Sequence, residues 1–294
     1  MVVVIISIAG AGLVLALDHP QTDAGRPELT ARGDAIIGPR LAALAPQDAA
    51  LADAADGLAA HGRAALLDLR SQKTDAVRSD IAAGDQSLTD LETAVAALTT
   101  SRNGLLDGTS LDRVSGANRD RVGAIDAAIA ASALVPAGWQ QIGDNAVLPV
   151  SVLESLSGHD AAVIAATTSA RAADYTTALA HLGDAATALA SARHLSDLAS
   201  GKGRDVSTLT GLILRSSDYD AALTRLYTLL QQSGGVMTPD ASAALADVER
   251  AQTALPPDTS PLVVIASDLG GNTMTQGLIA IEGARDPIDR AAGR

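Results

Sequence analysis

From Ile81 to Leu105 the chain returns to one face every three and four residues: Ile81, Gly84, Leu88, Leu91, Val95, Leu98, Arg102 and Leu105. This alternation is a heptad seam, which a helix buries by packing lengthwise against other helices. Leu51, Ala55, Leu58, Gly62, Ala65 and Leu69 keep the same spacing upstream, and between them the beat slips through Lys73 and Val77 in steps of four. Two readings follow: one helix over 47–106, about 90 Å long, or two helices broken near residues 70–80. Asn103-Gly104 and Asp107-Gly108 are helix stops, and Thr109 or Ser110 can cap a second helix over about 111–134. That helix carries Leu111, Val114, Asn118, Val122, Ile125 and Ile129 on one face. So short a link predicts an antiparallel hairpin, with Leu98 opposite Asn118 and Leu91 near Ile125.

The residue supply agrees with helices. Ala makes up about a fifth of the chain, Phe is absent, and Trp139, Tyr175, Tyr219 and Tyr227 are the only aromatics. Ala is the best helix former and lets axes approach closely, whereas strands want the branched and aromatic residues that are thin here. The fold class is therefore all-α: an elongated antiparallel helical bundle or coiled-coil hairpin with a C-terminal set of shorter helices. After Val135-Pro136-Ala137-Gly138, expected to interrupt the chain, Pro149 predicts a kink. A long pattern then runs from Ser157-Gly158 to about Ser200, jogged near Ala172, with a seam of Tyr175, Leu179, Leu182, Ala186, Leu189 and Arg193. Beyond Gly201 the expected helices are 205–216, 218–232, 239–255, 261–269 and 274 to the end. Thr238-Pro239 and Ser260-Pro261 read as starts, and Thr273 to Gln276 as a capping box. Leu262 to Ile265 and Leu278 to Ile281 are alternative short strands.

Val2 to Leu17 is an uncharged apolar run followed at once by Asp18, His19 and Pro20. It reads as an export signal or a membrane anchor, the anchor favoured, which would place residues 18–294 outside the cytoplasm. The expected organisation is a signal or anchor at 1–17, a Pro- and Gly-punctuated tether at 18–46, an elongated three-helix bundle at 47–200 and a helical subdomain at 201–294. The net charge of −13 comes without a basic stripe or an aromatic surface, which argues against nucleic-acid binding. The absence of Cys excludes disulfides, thiol catalysis and thiolate metal sites.

Asp174-Tyr175-x-x-Ala178-Leu179-x-x-Leu182 recurs as Asp218-Tyr219-x-x-Ala222-Leu223-x-x-Leu226. Each copy resembles, over about ten residues, the second helix of a tetratricopeptide repeat. The offset of about 44 residues departs from that family's 34-residue period. Ala162, Ala165, Ala166 and Ser169 also stand where the preceding helix of such a repeat carries bulky and Gly positions, so no function is carried over. Among the histidines, His19, His61, His159, His181 and His194, two have an acid three residues on: Asp184 after His181 and Asp197 after His194. These read as solvated surface pairs. Asp218 and Asp220 around Tyr219 read as acids at a helix start. Glu282 and Arg285 read as a structural ion pair, and Gly201-Lys202-Gly203-Arg204 as a linker. The P-loop, HExxH, GxSxG, SxxK and EF-hand signatures are absent. No residue is assigned a catalytic, cofactor-binding or metal-binding role. The expected function is a membrane-tethered extracytoplasmic interaction or spacer protein without catalytic activity. It would meet the membrane through residues 2–17 and a protein partner through helical surfaces. A ligand-binding sensor module and an enzyme of unidentified class are the alternatives; a cavity lined by convergent polar groups would favour them.

Overall fold

A computed structural model of the chain describes residues 27–294, so the signal or anchor expected at 1–17 and the first part of the tether lie outside the described residues. Nine α-helices follow among them: α1 Pro27–Arg70, α2 Thr74–Asn103, α3 Gly116–Ser132, α4 Val135–Arg171, α5 Tyr175–Gly201, α6 Ser207–Gln232, α7 Pro239–Ala254, α8 Ser260–Ala266 and α9 Asn272–Ala292. No strand occurs among the described residues, and the protein is all-α.

The seam is buried as its spacing requires. Val77, Leu91, Leu98 and Leu105 are fully buried at heptad-related positions of α2 and its exit, as are Leu51, Ala55, Leu58, Ala65 and Leu69 on α1. Of the two readings for 47–106 the broken one holds: the chain turns at residues 71–73, where Gln72 takes a positive φ of 60°. The expected tether is corrected from Pro27 onward. Ile37, Leu41 and Leu44 carry the buried stripe of α1 upstream with the same four-three spacing, although Pro39 and Pro46 sit inside the helix. Gly33, which reads as loop punctuation, is a packing residue instead. The backbone of Arg113 lies against it where a side chain would stand.

The helices divide between two compact units, each assembled from separate stretches of the chain. Among the described residues, unit 1 contains 27–57, 87–136 and 282–294, and unit 2 contains 58–86 and 137–281. In unit 1 the link after α2 is longer than expected. Turns and a 3-10 segment, Leu111–Arg113, occupy residues 104–115, and Ser115 rather than Thr109 or Ser110 caps α3. Arg40 donates to the carbonyls of Leu105 (3.1 Å) and Asp107 (2.8 Å) just beyond the α2 end. Asp34 accepts from the Ser115 amide (2.9 Å) and the Asn118 side chain (2.6 Å). A cation at a helix C-terminus and an anion at an N-terminus both oppose the peptide dipoles, and the Ser115 and Asn118 bonds hold the Asp34 carboxyl below its usual pKa. The expected hairpin register is corrected with it. Arg102 pairs with Asp126 at 2.6 Å, about twelve residues beyond the position that equal distances from the turn would give, some 18 Å along a helix.

In unit 2, α4 runs through Ser157-Gly158 without a break, and the jog near Ala172 is a full turn with Ala173 at φ 59°. The buried stripe of α5 is Ala178, Leu182, Ala185, Leu189, Ala192, Ser196 and Ala199, which shares only Leu182 and Leu189 with the expected seam. Small residues face inward there because they let neighbouring helices come close. The expected helices 205–216 and 218–232 are one helix, α6. Thr238 caps α7 by accepting from the Ala241 amide at 3.2 Å. The capping box at Thr273 does not form, because α8 continues through a π-helical turn, Ser267–Gly271, into α9. The segments 262–265 and 278–281 are helical rather than strands. Trp139, the single tryptophan, lies flat on Gly84 and donates its indole N–H to Asp85 at 2.7 Å. At Gly138 and Gly277 the α4 and α9 backbones touch, which no side chain larger than hydrogen permits.

Candidate functional site

Two apolar clusters organise α4 to α8 within unit 2. One joins Ala166, Leu182, Leu223, Tyr227 and Val248; the other joins Val152, Leu156, Leu189, Ile213 and Leu269. Along α6 the first ends at Leu223 and the second at Ile213, and the turns between them present Ser216 and Asp220 inward. Along α4, His159 occupies the matching gap between Leu156 and Val163. These three residues are 6%, 8% and 5% exposed respectively. His159 Nε2 stands 3.1 Å from Asp220 Oδ2, and its Nδ1 stands 3.0 Å from Asp160 Oδ1. A ring with a carboxylate at each nitrogen donates from both and is an imidazolium. Burial alone would lower its pKa; the hydrogen bonds and negative charges of Asp160 and Asp220 outweigh burial and raise it to about 9.

His159 and Asp160 open on a cavity of about 340 Å³. Helix α4 supplies Leu156, His159, Asp160, Val163 and Ile164, a run of positions on one helical face. Helix α6 supplies Leu212, Ser216 and Tyr219 in the same way. The third wall is the link from Leu255 to Thr259 and the first turn of α8. The lining is mainly apolar, with hydroxyls from Ser216, Tyr219 and Thr259 and carboxylates from Asp160 and Asp258. Burial, then the charge of Asp220, raises the Tyr219 pKa, so the phenol stays protonated. The Ser260 amide bond holds Asp258 below its usual pKa, so it is ionised. A second cavity, about 300 Å³, is lined by Arg193, Thr224 and Asp220 itself, so His159 borders the first space and its carboxylate partner the second.

Neither member of the His159–Asp220 pair was expected from sequence. They are 61 residues apart on different helices, and Asp220 lies in the middle of α6 rather than at a helix start. That position also separates the two repeat-like segments: Asp174 caps α5, accepting from the Thr177 amide at 3.0 Å, whereas Asp218 lies inside α6. His181 and Asp184 do approach, at 3.7 Å, while His194 and Asp197 are exposed residues of α5. Glu282 and Arg285 form the expected pair at 2.7 Å. Arg204, at the end of the basic glycine loop, bonds the Leu269 carbonyl and the Asn145 side chain. Among the described residues no three His, Asp or Glu side chains converge as a metal site would require. Comparison with protein-family profiles, with curated proteins and with solved structures finds no match.

Proposed function

We propose that the chain is an extracytoplasmic, membrane-tethered helical protein that holds a small molecule in the unit 2 cavity without transforming it. The carrying observation is the cavity itself: about 340 Å³ of mainly apolar space with a few polar groups converging on it, the usual make-up of a ligand site. This favours a holding role over that of a spacer. Tethering rests on the apolar run Val2 to Leu17. The absence of chemistry rests on His159, the cavity's natural base, whose two nitrogens are both committed to carboxylates and which carries its proton at neutral pH. A thermal-shift ligand screen tests the reading. Ile164 lines the cavity and is 65% exposed, so Ile164→Trp obstructs the mouth without disturbing a core. Compounds that raise the melting temperature of the wild type and lose that effect in Ile164→Trp are the expected result. A broad screen that yields none overturns the reading.

A further inference from the structure

The charged groups around this cavity are mostly carboxylates. No Lys or Arg lines it, and both N–H groups of His159 are taken by Asp160 and Asp220. One imidazolium against the carboxylates of Asp160, Asp220 and Asp258 leaves the surroundings net negative. An anion placed here would meet like charge with only neutral hydroxyls and no free cation to offset it, and a wholly apolar ligand would leave the polar groups unused.

The hydroxyls point the same way. Elsewhere on α6, Thr224 and Thr228 spend their hydroxyls on the carbonyls four residues back, at 2.8 and 2.7 Å. This is the ordinary fate of a mid-helix Thr or Ser, and Thr187 and Ser191 on α5 share it. Ser216 does not. The residue is 94% buried and lines the cavity, and its Oγ, which makes no hydrogen bond within the protein, is open to that space. Tyr219, one turn on, likewise leaves its phenol unengaged at the cavity. A hydroxyl that faces the cavity with no protein partner is free to bond a ligand or water there. Oxygen acceptors and an aromatic face beside hydrocarbon walls suit a protonated amine, through charge-assisted hydrogen bonds and attraction to the ring.

Resting on the holding role proposed above, we infer that the ligand is an organic ammonium ion with a hydrocarbon body. Its nitrogen sits at the Asp160 carboxylate within reach of the Ser216 and Tyr219 hydroxyls, and its chain lies against Leu156, Leu212 and Leu262. Asp160 is the residue to test, because its side chain is 70% exposed and Asp160→Asn keeps an oxygen for His159.

Calorimetric titration of the whole chain with hexylammonium, hexanol and hexanoate at pH 7.5 separates the possibilities. Hexylammonium is expected to bind at least tenfold more tightly than hexanol, with no detectable binding of hexanoate. Asp160→Asn should bring hexylammonium down to the level of hexanol and leave hexanol within twofold. If hexanol or hexanoate matches hexylammonium, or Asp160→Asn leaves the amine unaffected, the ammonium assignment is overturned while the cavity keeps its holding role. Failure of all three probes to bind also overturns the assignment. The holding role falls separately, when the broad screen yields no compound sensitive to Ile164→Trp.

Discussion

Unit 1 buries Asp48 and unit 2 buries Asp220, each at a position where the helix face is otherwise apolar, and the two acids are accommodated in opposite ways. On α1, Asp48 falls between Leu44 and Leu51 in the buried stripe. It is 1% exposed, and neither carboxylate oxygen has a hydrogen-bond partner. Burial pushes its pKa up to about 6, against a smaller opposing pull from Arg121. Asp220 has His159 instead, and that pair keeps its charges. A carboxylate out of water is thus accommodated either by holding its proton or by acquiring a bonded cation. The first solution costs stability wherever the proton is lost, and the second makes each partner depend on the other.

The largest expected effect comes from breaking the pair. Asp220→Ala leaves an imidazolium buried with only Asp160, and denaturant unfolding should show a loss of about 3–5 kcal/mol at pH 7. An effect below about 1 kcal/mol would mean that Asp220 is as dispensable as an unpaired acid. Next in size is a pH ramp. A His whose pKa is raised from 6.5 to about 9 on folding contributes stability that is complete below about pH 6.5 and lost as pH climbs through about 9. This amounts to about 3 kcal/mol, and His159→Gln should flatten the ramp. Asp48 should show the same sign in a lower window. Its folded pKa of about 6 lies above the ordinary 3.8, so stability falls between about pH 4 and 6 as the unfolded chain gives up its proton first. Asp48→Asn should therefore gain about 2–3 kcal/mol at pH 8 relative to pH 3.5, where the carboxyl is protonated in both states. A loss at pH 8 would show that the ionised carboxylate is stabilised in unit 1. The smallest effect should come from Arg102→Ala, which removes a cation paired with the half-exposed Asp126. Its cost in the same unfolding assay should be under about 1 kcal/mol, which would separate burial from mere pairing.

How much of this was legible depended on residue size and on chain distance. The α2 seam could be read because large aliphatic side chains stand on one heptad series at Val77, Leu91, Leu98 and Leu105, interrupted only by Gly84. The α1 stripe has the same spacing from Ile37 to Leu51, but Gly33, Pro39 and Pro46 carry the local signature of a tether, and tertiary packing overrides it. On α5 the buried positions are mostly Ala, whose apolarity does not distinguish an inner face from an outer one. The hairpin register depended on how many residues between 104 and 115 would be helical. The site was the hardest feature, because a pair across 61 residues leaves no local motif. Its one trace is that His159 and Asp220 each continue an apolar stripe, with Leu156 and Val163 on α4 and with Ile213, Leu223 and Tyr227 on α6. A titratable side chain at such a position calls for a partner, and Asp48 shows that the partner is not always present.

The way Trp139 settles on Gly84 has a practical consequence, since all four aromatic residues of the chain belong to unit 2 and unit 1 has none. Ultraviolet emission and near-ultraviolet dichroism therefore see one unit and are blind to the other, whereas far-ultraviolet dichroism sees the helices of both. Melting curves from the two kinds of light need not coincide. In Asp48→Asn a shift confined to the far-ultraviolet curve would mean that the units melt separately, and a common shift that they melt together.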